Sequence, residues 1–129
     1  PYGHQILWPD HCIQSTDGAA FHNELKVEKA DLIIRKGFRP KIDSYSAFFE
    51  NDKTTPTGLE GYMRTRGIDP ITIVGLATDF CVAYSALDAS KLGFKVTVDM
   101  TACRSIDVDG SLEAAILKMR NAGVRLKHG

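Results

Sequence analysis

The sequence predicts an α/β fold whose sheet is at least partly parallel. Residues 71–74 form an uninterrupted β-branched run, ITIV, which is typical of a strand buried on both faces. Small apolar residues then recur at helical spacing, namely Val82, Ala86 and Ala89, and Gly93 is suited to end this helix. A second apolar strand begins at residues 96–98. Strand, helix and strand in this order predict a parallel βαβ unit.

Length and composition fit one globular domain and exclude several classes of partner. Among 129 residues, 43% are hydrophobic, and 16 basic residues balance 16 acidic ones. A net charge of zero gives no electrostatic reason to bind nucleic acid or an anionic membrane. No apolar run reaches the roughly 18 residues of a membrane span, and no signal-peptide pattern is present. Three cysteines without CxxC spacing suit a reducing compartment, so we expect a cytoplasmic protein.

The first 24 residues predict a loop, with turn formers and one short apolar patch that ends at Trp8. His4 and His11 flank this tryptophan, and Cys12 follows His11 directly. A histidine in a polar loop is more often solvated than metal-bound, so this pattern alone leaves both interpretations open. Adjacent side chains diverge, which argues against His11 and Cys12 serving one metal.

Residues 31–36, DLIIRK, predict the next strand, with Leu32 to Ile34 as its core and Lys36 at its carboxyl end. A lysine there is usually solvated. If it lay beside a cysteine, its charge would favour the thiolate. Residues 37–56 form a long irregular segment of a length that is often functional. Its aromatic residues, Tyr45, Phe48 and Phe49, would ordinarily cover the edge of the core.

Two further helices and a short strand complete the predicted elements. Thr57 to Arg66 predicts a helix that opens with a Thr57–Glu60 capping box and ends at Gly67. Its expected buried stripe is Leu59, Tyr62 and Met63. A last helix over 111–122 has a stripe at Leu112, Ala115, Ile116 and Met119. Residues 124–126 predict a short edge strand.

Cys81 lies where the strand of residues 71–74 leads through a turn into the helix. The start of a helix favours a thiolate and offers free N–H groups to an oxyanion. The carboxyl ends of parallel strands are also where α/β sheets place ligands. These features indicate a nucleophile. A buried structural cysteine remains the alternative on this local pattern.

Three segments in this order and at these separations resemble the nicotinamidases of the isochorismatase-like cysteine hydrolase family. They are WPDHC (8–12), IIRKGF followed by DSYSAF (33–48), and GLATDFCV (75–82). The resemblance spans nearly the whole chain. It implies a three-layer α/β/α fold with a mostly parallel sheet, formed here by a single domain, residues 1–129, incomplete at the N-terminus.

The resemblance also implies roles for matching residues. Cys81 would be the nucleophile that attacks the carboxamide carbon, and Lys36 the lysine that holds the thiolate and organises proton traffic. His11 would be one ligand of a divalent metal, usually zinc in this family. Trp8 and Tyr45 would wall the slot for the pyridine ring.

The same resemblance implies the oxyanion site. The Leu76–Ala77 peptide bond matches a bond that is cis in related enzymes, and the N–H groups of Ala77 and Cys81 would receive the oxyanion.

The implied reaction converts nicotinamide to nicotinate and ammonia through a cysteine thioester, in NAD salvage, and by analogy hydrolyses pyrazinamide. Three alternatives stay open: another amidase or an isochorismatase of the same family, a catalytically inactive binding module, and a flavodoxin-like cofactor binder. No Gly-rich phosphate loop supports the last. A homo-oligomer is compatible with the sequence.

One departure from the family pattern concerns its acid–base and metal residues. The family has a catalytic aspartate on its first strand and an aspartate–histidine metal pair on its second, and no segment of this sequence matches either. The aspartates at 10, 17, 31, 43 and 79 lie in other contexts. We therefore expect the chain to be the carboxyl-terminal part of such an enzyme. We also expect the strand of residues 32–34 to lack its neighbours in the sheet.

Overall fold

The predicted βαβ unit is present in the structure, a computed structural model that describes residues 2–129. Over these residues the helices are α1 (Leu59–Arg66), α2 (Ala83–Lys91) and α3 (Ser111–Asn121), and the strands are β1 (Ile71–Leu76), β2 (Val96–Arg104) and β3 (Arg125–Lys127). Short 3₁₀ turns lie at Asp17–Ala19 and Val27–Lys29 in the otherwise irregular first half. No helix among the described residues is long and apolar enough to cross a membrane.

The strands described here form one parallel sheet in the order β1-β2-β3. Ile71 lies opposite Val96, and Val98 lies opposite Leu126, so the central strand β2 pairs on both sides. Two parallel strands joined through α2, and a third reached through α3, confirm the predicted α/β class. Each of α2, α3 and β3 lies within one or two residues of its predicted bounds.

A bulge in β2 shifts the pairing between the two halves of β1. Ile73 pairs with Val98, but Gly75 pairs with Cys103, so β2 holds extra residues between these points. The Asp99 carboxylate accepts the backbone N–H of Thr101 at 3.1 Å and its hydroxyl at 2.6 Å. The side chain thus satisfies a donor that the interrupted ladder leaves free. Beyond the bulge, β2 ends beside the carboxyl end of β1.

The core lies between the sheet and the helices that follow its strands. Ala86, Ala89, Val98 and Met119 have no exposed surface, and the small side chains of α2 let that helix approach β2 and α3 closely. The predicted stripes of α2 and α3 therefore do face the core. Burial of these apolar side chains is the main term that stabilises the unit.

Residues 31–36 do not form the predicted strand. The segment is extended but pairs with no strand among the described residues, and Leu32 and Ile33 are 40% and 49% exposed. The burial of residues 71–74 on both faces was also predicted wrongly, because Thr72 is exposed and Val74 is 54% exposed. An open cleft of about 500 Å³ separates the two segments. Without a partner across that cleft, the β propensity of residues 32–34 produces no ladder.

Helix α1 begins two residues later than predicted, and its capping box is not formed. Thr57 Oγ1 accepts the N–H of Leu59 at 3.2 Å and donates to the Ala47 carbonyl at 2.5 Å. Glu60 instead pairs with Arg64 one turn on, at 2.8 Å. The threonine therefore joins the helix to the preceding segment. Gly67, at φ 64°, ends the helix as predicted.

Candidate active site

Cys81 lies on a tight turn between β1 and α2. The Leu76–Ala77 peptide bond is cis, as predicted. The Ala77 carbonyl then accepts the N–H groups of Phe80 and Val82, each at 3.1 Å, so residues 78–82 form one π-helical turn. The cysteine is half-buried on this turn and its thiol is free. This is the strand-to-helix position that the sequence predicted, with the added π turn.

Asp79 fixes this turn to the loop after β2. Its carboxylate accepts the N–H groups of Ile106 at 3.0 Å and Asp107 at 2.7 Å, together with the Ser111 hydroxyl. Burial acts to raise the pKa of Asp79, but these hydrogen bonds outweigh it and hold the pKa below its ordinary value. The charged carboxylate thus ties the Cys81 turn to the start of α3.

Lys36 lies directly against the Cys81 thiol. Its Nζ is 3.3 Å from Cys81 Sγ and donates a 2.7 Å hydrogen bond to the Ser44 carbonyl. The unpaired segment of residues 31–36 therefore still delivers its terminal cation to the cysteine. An ammonium in this position stabilises a thiolate, and it can return a proton to an atom bound near the sulfur.

The segment that receives Lys36 is buried and polar. Ser44, Tyr45 and Ser46 are at most 8% exposed, and the Asn51 side chain accepts the Tyr45 N–H at 3.0 Å. Asn51 also hydrogen-bonds Gln5 at 3.0 Å. These side-chain contacts hold a segment that has no regular structure of its own.

Aromatic side chains form one wall beside the cysteine. Trp8 Nε1 donates to the Tyr45 hydroxyl at 2.7 Å, and both rings meet Phe80 edge-on, with centroids 5.0 and 5.7 Å away. Tyr45 meets Tyr84 in the same way at 5.0 Å. Burial raises the pKa of Tyr45, so its hydroxyl stays protonated at neutral pH. The wall is flat, apolar and fixed by one partly buried hydrogen bond.

His11 is oriented as a metal ligand would be, but it stands alone. Its Nδ1 lies 2.6 Å from the Pro9 carbonyl. A carbonyl only accepts, so Nδ1 carries a proton, and in the neutral ring Nε2 keeps a lone pair of the kind that binds metals. Residues 2–129 nevertheless hold no group of three His, Cys, Asp or Glu side chains placed to share an ion. These residues therefore do not fit a complete metal site.

A cavity of about 850 Å³ brings the six predicted site residues together. Its lining includes Trp8, His11, Lys36, Tyr45, Ala77 and Cys81. They come from separate parts of the sequence: the first loop, the extended segment, the buried polar segment and the turn after β1.

Three residues with clear places at this site were not predicted from the sequence. Phe80 supports both aromatic wall residues, and its position immediately before Cys81 was the available signal. Arg104 lines the cavity because β2 ends beside β1. Asp43 also lines it, but its carboxylate accepts the neighbouring Ser44 N–H at 2.7 Å. No spacing in the sequence marks the last two.

The arrangement has the parts of acyl transfer to sulfur. A thiol with an adjacent ammonium can act as a nucleophile, and a flat apolar wall can hold a planar ring in front of it. Ala77 and Cys81 both line the same cavity.

Known nicotinamidases and pyrazinamidases are similar to this chain in sequence and in structure. A nicotinamidase of Acinetobacter baylyi is 55% identical over 125 residues, which are 97% of this chain and 58% of that protein. The structure superposes on a nicotinamidase and pyrazinamidase of Acinetobacter baumanii with a TM-score of 0.96 at 57% identity, covering 98% of this chain and 61% of the other. It superposes on a pyrazinamidase of Pyrococcus horikoshii in complex with zinc with a TM-score of 0.78 at 32% identity, covering 95% and 64%.

The chain thus spans about three-fifths of the length of these relatives. The family model of the isochorismatase domain matches residues 2–127, which is nearly all of the chain. With this match and the parallel sheet that carries Cys81, the chain belongs to the isochorismatase family.

Proposed function

We propose that this chain carries the nucleophile and the ring-binding wall of a nicotinamidase, which hydrolyses nicotinamide to nicotinate and ammonia in NAD salvage. The observation that carries the proposal is the 3.3 Å contact between Lys36 Nζ and Cys81 Sγ, inside a cavity walled by Trp8 and Tyr45. The nicotinamidase of A. baylyi, 55% identical over nearly the whole chain, supports the same substrate. Pyrazinamide, a similar flat heteroaromatic carboxamide, is proposed as a second substrate.

The first half of the reaction forms a thioester. The Cys81 thiolate attacks the carboxamide carbon, and the carbonyl oxygen becomes an oxyanion that the N–H groups of Ala77 and Cys81 receive. The proton that left the thiol passes to the amide nitrogen, and Lys36 is the cation placed to hold it. The C–N bond then breaks, ammonia leaves, and the acyl group remains on sulfur.

The second half hydrolyses that thioester. Water adds to the acyl carbon, the C–S bond breaks, and nicotinate leaves. One proton of the water passes to Lys36, which restores the pair of Cys81 thiolate and Lys36 ammonium, and the released ammonia takes up the other proton as ammonium. The aromatic wall of Trp8 and Tyr45 holds the ring in the same orientation through both halves. The acyl carbon therefore stays in front of the sulfur.

We further propose His11 as one ligand of a divalent metal, for which zinc is the best candidate. Two observations support this: the Nε2 lone pair left by the bond to Pro9, and the zinc present in the P. horikoshii pyrazinamidase. Zinc would bind the pyridine nitrogen well and so orient the ring. Since residues 2–129 form no complete metal site, no step above depends on the ion.

The remaining proposals concern the domain organisation of the chain and its cellular location. We propose one domain over residues 1–129, supported by a single cluster of buried side chains that runs from Phe48 to Val124. We propose a cytoplasmic location, for which the support is three cysteines that remain free thiols.

Hydrolysis of nicotinamide by the intact protein tests the proposed function. Cys81→Ser should abolish ammonia release, because a serine hydroxyl is a weak nucleophile without a dedicated base. Lys36→Met should lower kcat by about 10²-fold or more through the loss of the proton carrier. Lys41→Met removes an exposed lysine nearby and should leave the rate unchanged. Ammonia release that survives Cys81→Ser would overturn the assignment.

A further inference from the structure

Ser85, one turn into α2, joins the backbone of the nucleophile to the segment that holds Lys36. Its hydroxyl donates to the Cys81 carbonyl at 2.6 Å and accepts the N–H of Ala47 at 2.8 Å. The residue is 5% exposed, so both bonds are largely shielded from bulk water. This one hydroxyl therefore connects Ala47 to Cys81, which lies 34 residues further along the chain.

The bridged segment is the one that fixes the ammonium. Lys36 Nζ donates to the Ser44 carbonyl, three residues before Ala47. The Ala47 carbonyl accepts the Thr57 hydroxyl, so both backbone groups of Ala47 are held, one by each hydroxyl. This segment forms no helix and no extended ladder. Its distance from the Cys81 turn is therefore set by side-chain contacts, namely these hydrogen bonds and the packing of Tyr45 against Phe80.

We infer that Ser85 is a positioning residue that sets the separation between Lys36 Nζ and Cys81 Sγ, and with it the reactivity of the thiol. The inference rests on the proposed function in taking Cys81 as the nucleophile. The hydroxyl touches neither the sulfur nor the ring wall, so it acts through the backbone on either side. The Lys36–Cys81 contact is 3.3 Å, an ordinary hydrogen-bond distance to sulfur, and loss of the bridge lets it lengthen.

Alkylation of Cys81 by iodoacetamide, followed by peptide mass spectrometry across pH on the intact protein, tests this. Ser85→Ala should move the midpoint of the alkylation profile upward. A half-unit shift would slow labelling about threefold below the midpoint. Ser85→Thr keeps the hydroxyl and should restore the wild-type profile, because Ser85 borders the open cleft, which has room for a methyl group.

Ser90→Ala is the matched control. Ser90 lies in the same helix, and its hydroxyl donates to the Ala122 carbonyl at the same 2.6 Å, far from Lys36. A general loosening of α2 would shift the alkylation profile equally in both alanine variants, and this result would overturn the inference. A wild-type profile in Ser85→Ala would also overturn it. If Ser85→Ala does not fold, Thr57→Val should give the upward shift from the other side of Ala47, and no shift there would contradict the inference.

The positioning role of Ser85 and the proposed function can each be disproved without the other, because the alkylation assay needs no substrate. If wild type does not hydrolyse nicotinamide but the Ser85 profile shifts, the proposed function is wrong and the positioning holds. If wild type is active, Ser85→Ala should lower kcat for nicotinamide several-fold and leave KM unchanged, since the hydroxyl contacts no part of the ring site. A change in KM alone would contradict the positioning role.

Discussion

At the scale of single residues, the two contacts of Lys36 explain how an exposed lysine keeps a fixed place. The Ser44 carbonyl takes one of its three N–H donors at 2.7 Å, which leaves another directed at Cys81 Sγ. A flexible four-carbon side chain is otherwise mobile in water. The carbonyl therefore orients the cation before any substrate arrives.

The bond between Trp8 and Tyr45 gives a prediction about the ring wall. Trp8→Phe and Tyr45→Phe each remove one partner of the partly buried 2.7 Å bond, while both keep an aromatic face. Each should raise KM for nicotinamide more than it lowers kcat. The double variant should be less damaging than the sum, with a coupling of about 0.5–1.5 kcal/mol in a double-mutant cycle. Additive effects would mean that the bond does not order the wall.

The lowered pKa of Asp79 gives a prediction about acid stability. The carboxyl has a lower pKa folded than unfolded, so its contribution is present above the unfolded pKa, about 3.9, and is lost as pH falls through the folded pKa. Urea unfolding should show that Asp79→Asn reduces the free energy of unfolding at pH 7 and flattens its acid dependence below about pH 4. Asp31→Asn, at an exposed carboxylate, should do neither. Equal acid slopes in wild type and Asp79→Asn would contradict this.

At the scale of secondary-structure elements, the sequence pattern predicted those helices and strands that are formed by contacts between residues close together in the chain. Regularly spaced apolar residues and glycines at the helix ends predicted α2, α3 and the strands that they join. These signals lie within a few residues of one another in the sequence. The strand at residues 31–36 and the two-sided burial of β1 failed, because both depend on a neighbour in the sheet that residues 2–129 do not supply. The capping box failed because Thr57 bonds to Ala47, a contact that sequence spacing does not reveal.

The residues of the candidate site were likewise predicted where a sequence motif marks them and not where a tertiary contact does. The family motifs predicted Cys81, Lys36, His11, Trp8 and Tyr45 as site residues, and all five line one cavity. The bridge by Ser85 was not predictable, since a serine in a helix is usually an ordinary surface or core residue. Its role depends on where the irregular segment of residues 44–47 crosses α2, and nothing in the local sequence encodes that crossing.

Hydrogen exchange on the 129-residue chain checks the unpaired segment directly. Amides of residues 32–34 should exchange rapidly, because they make no ladder, while those of residues 71–74 should be protected by pairing with β2. Equal protection of the two stretches would mean that they pair across the cleft. In that case Lys36 would reach Cys81 by a path different from the one described.

At the scale of the whole molecule, the incomplete metal site gives a prediction about ion binding. The intact protein should bind about one divalent ion per chain if His11 contributes a ligand, and His11→Ala should remove most of it. The 129-residue chain alone should bind weakly, since one histidine makes no site. His22→Ala is the control for a nonspecific histidine effect. Tight stoichiometric binding by the 129-residue chain would point instead to ligands within it.

The most direct test of the account is to trap the acyl intermediate on sulfur. Intact protein mixed with nicotinamide and quenched in acid within one turnover should carry a nicotinoyl group on the peptide that contains Cys81. Ser85→Ala should accumulate this adduct more slowly, and Cys81→Ser should not form it. A nicotinoyl group on any other residue, or hydrolysis of nicotinamide by Cys81→Ser at the wild-type rate, would contradict the assignment of this thiol as the nucleophile.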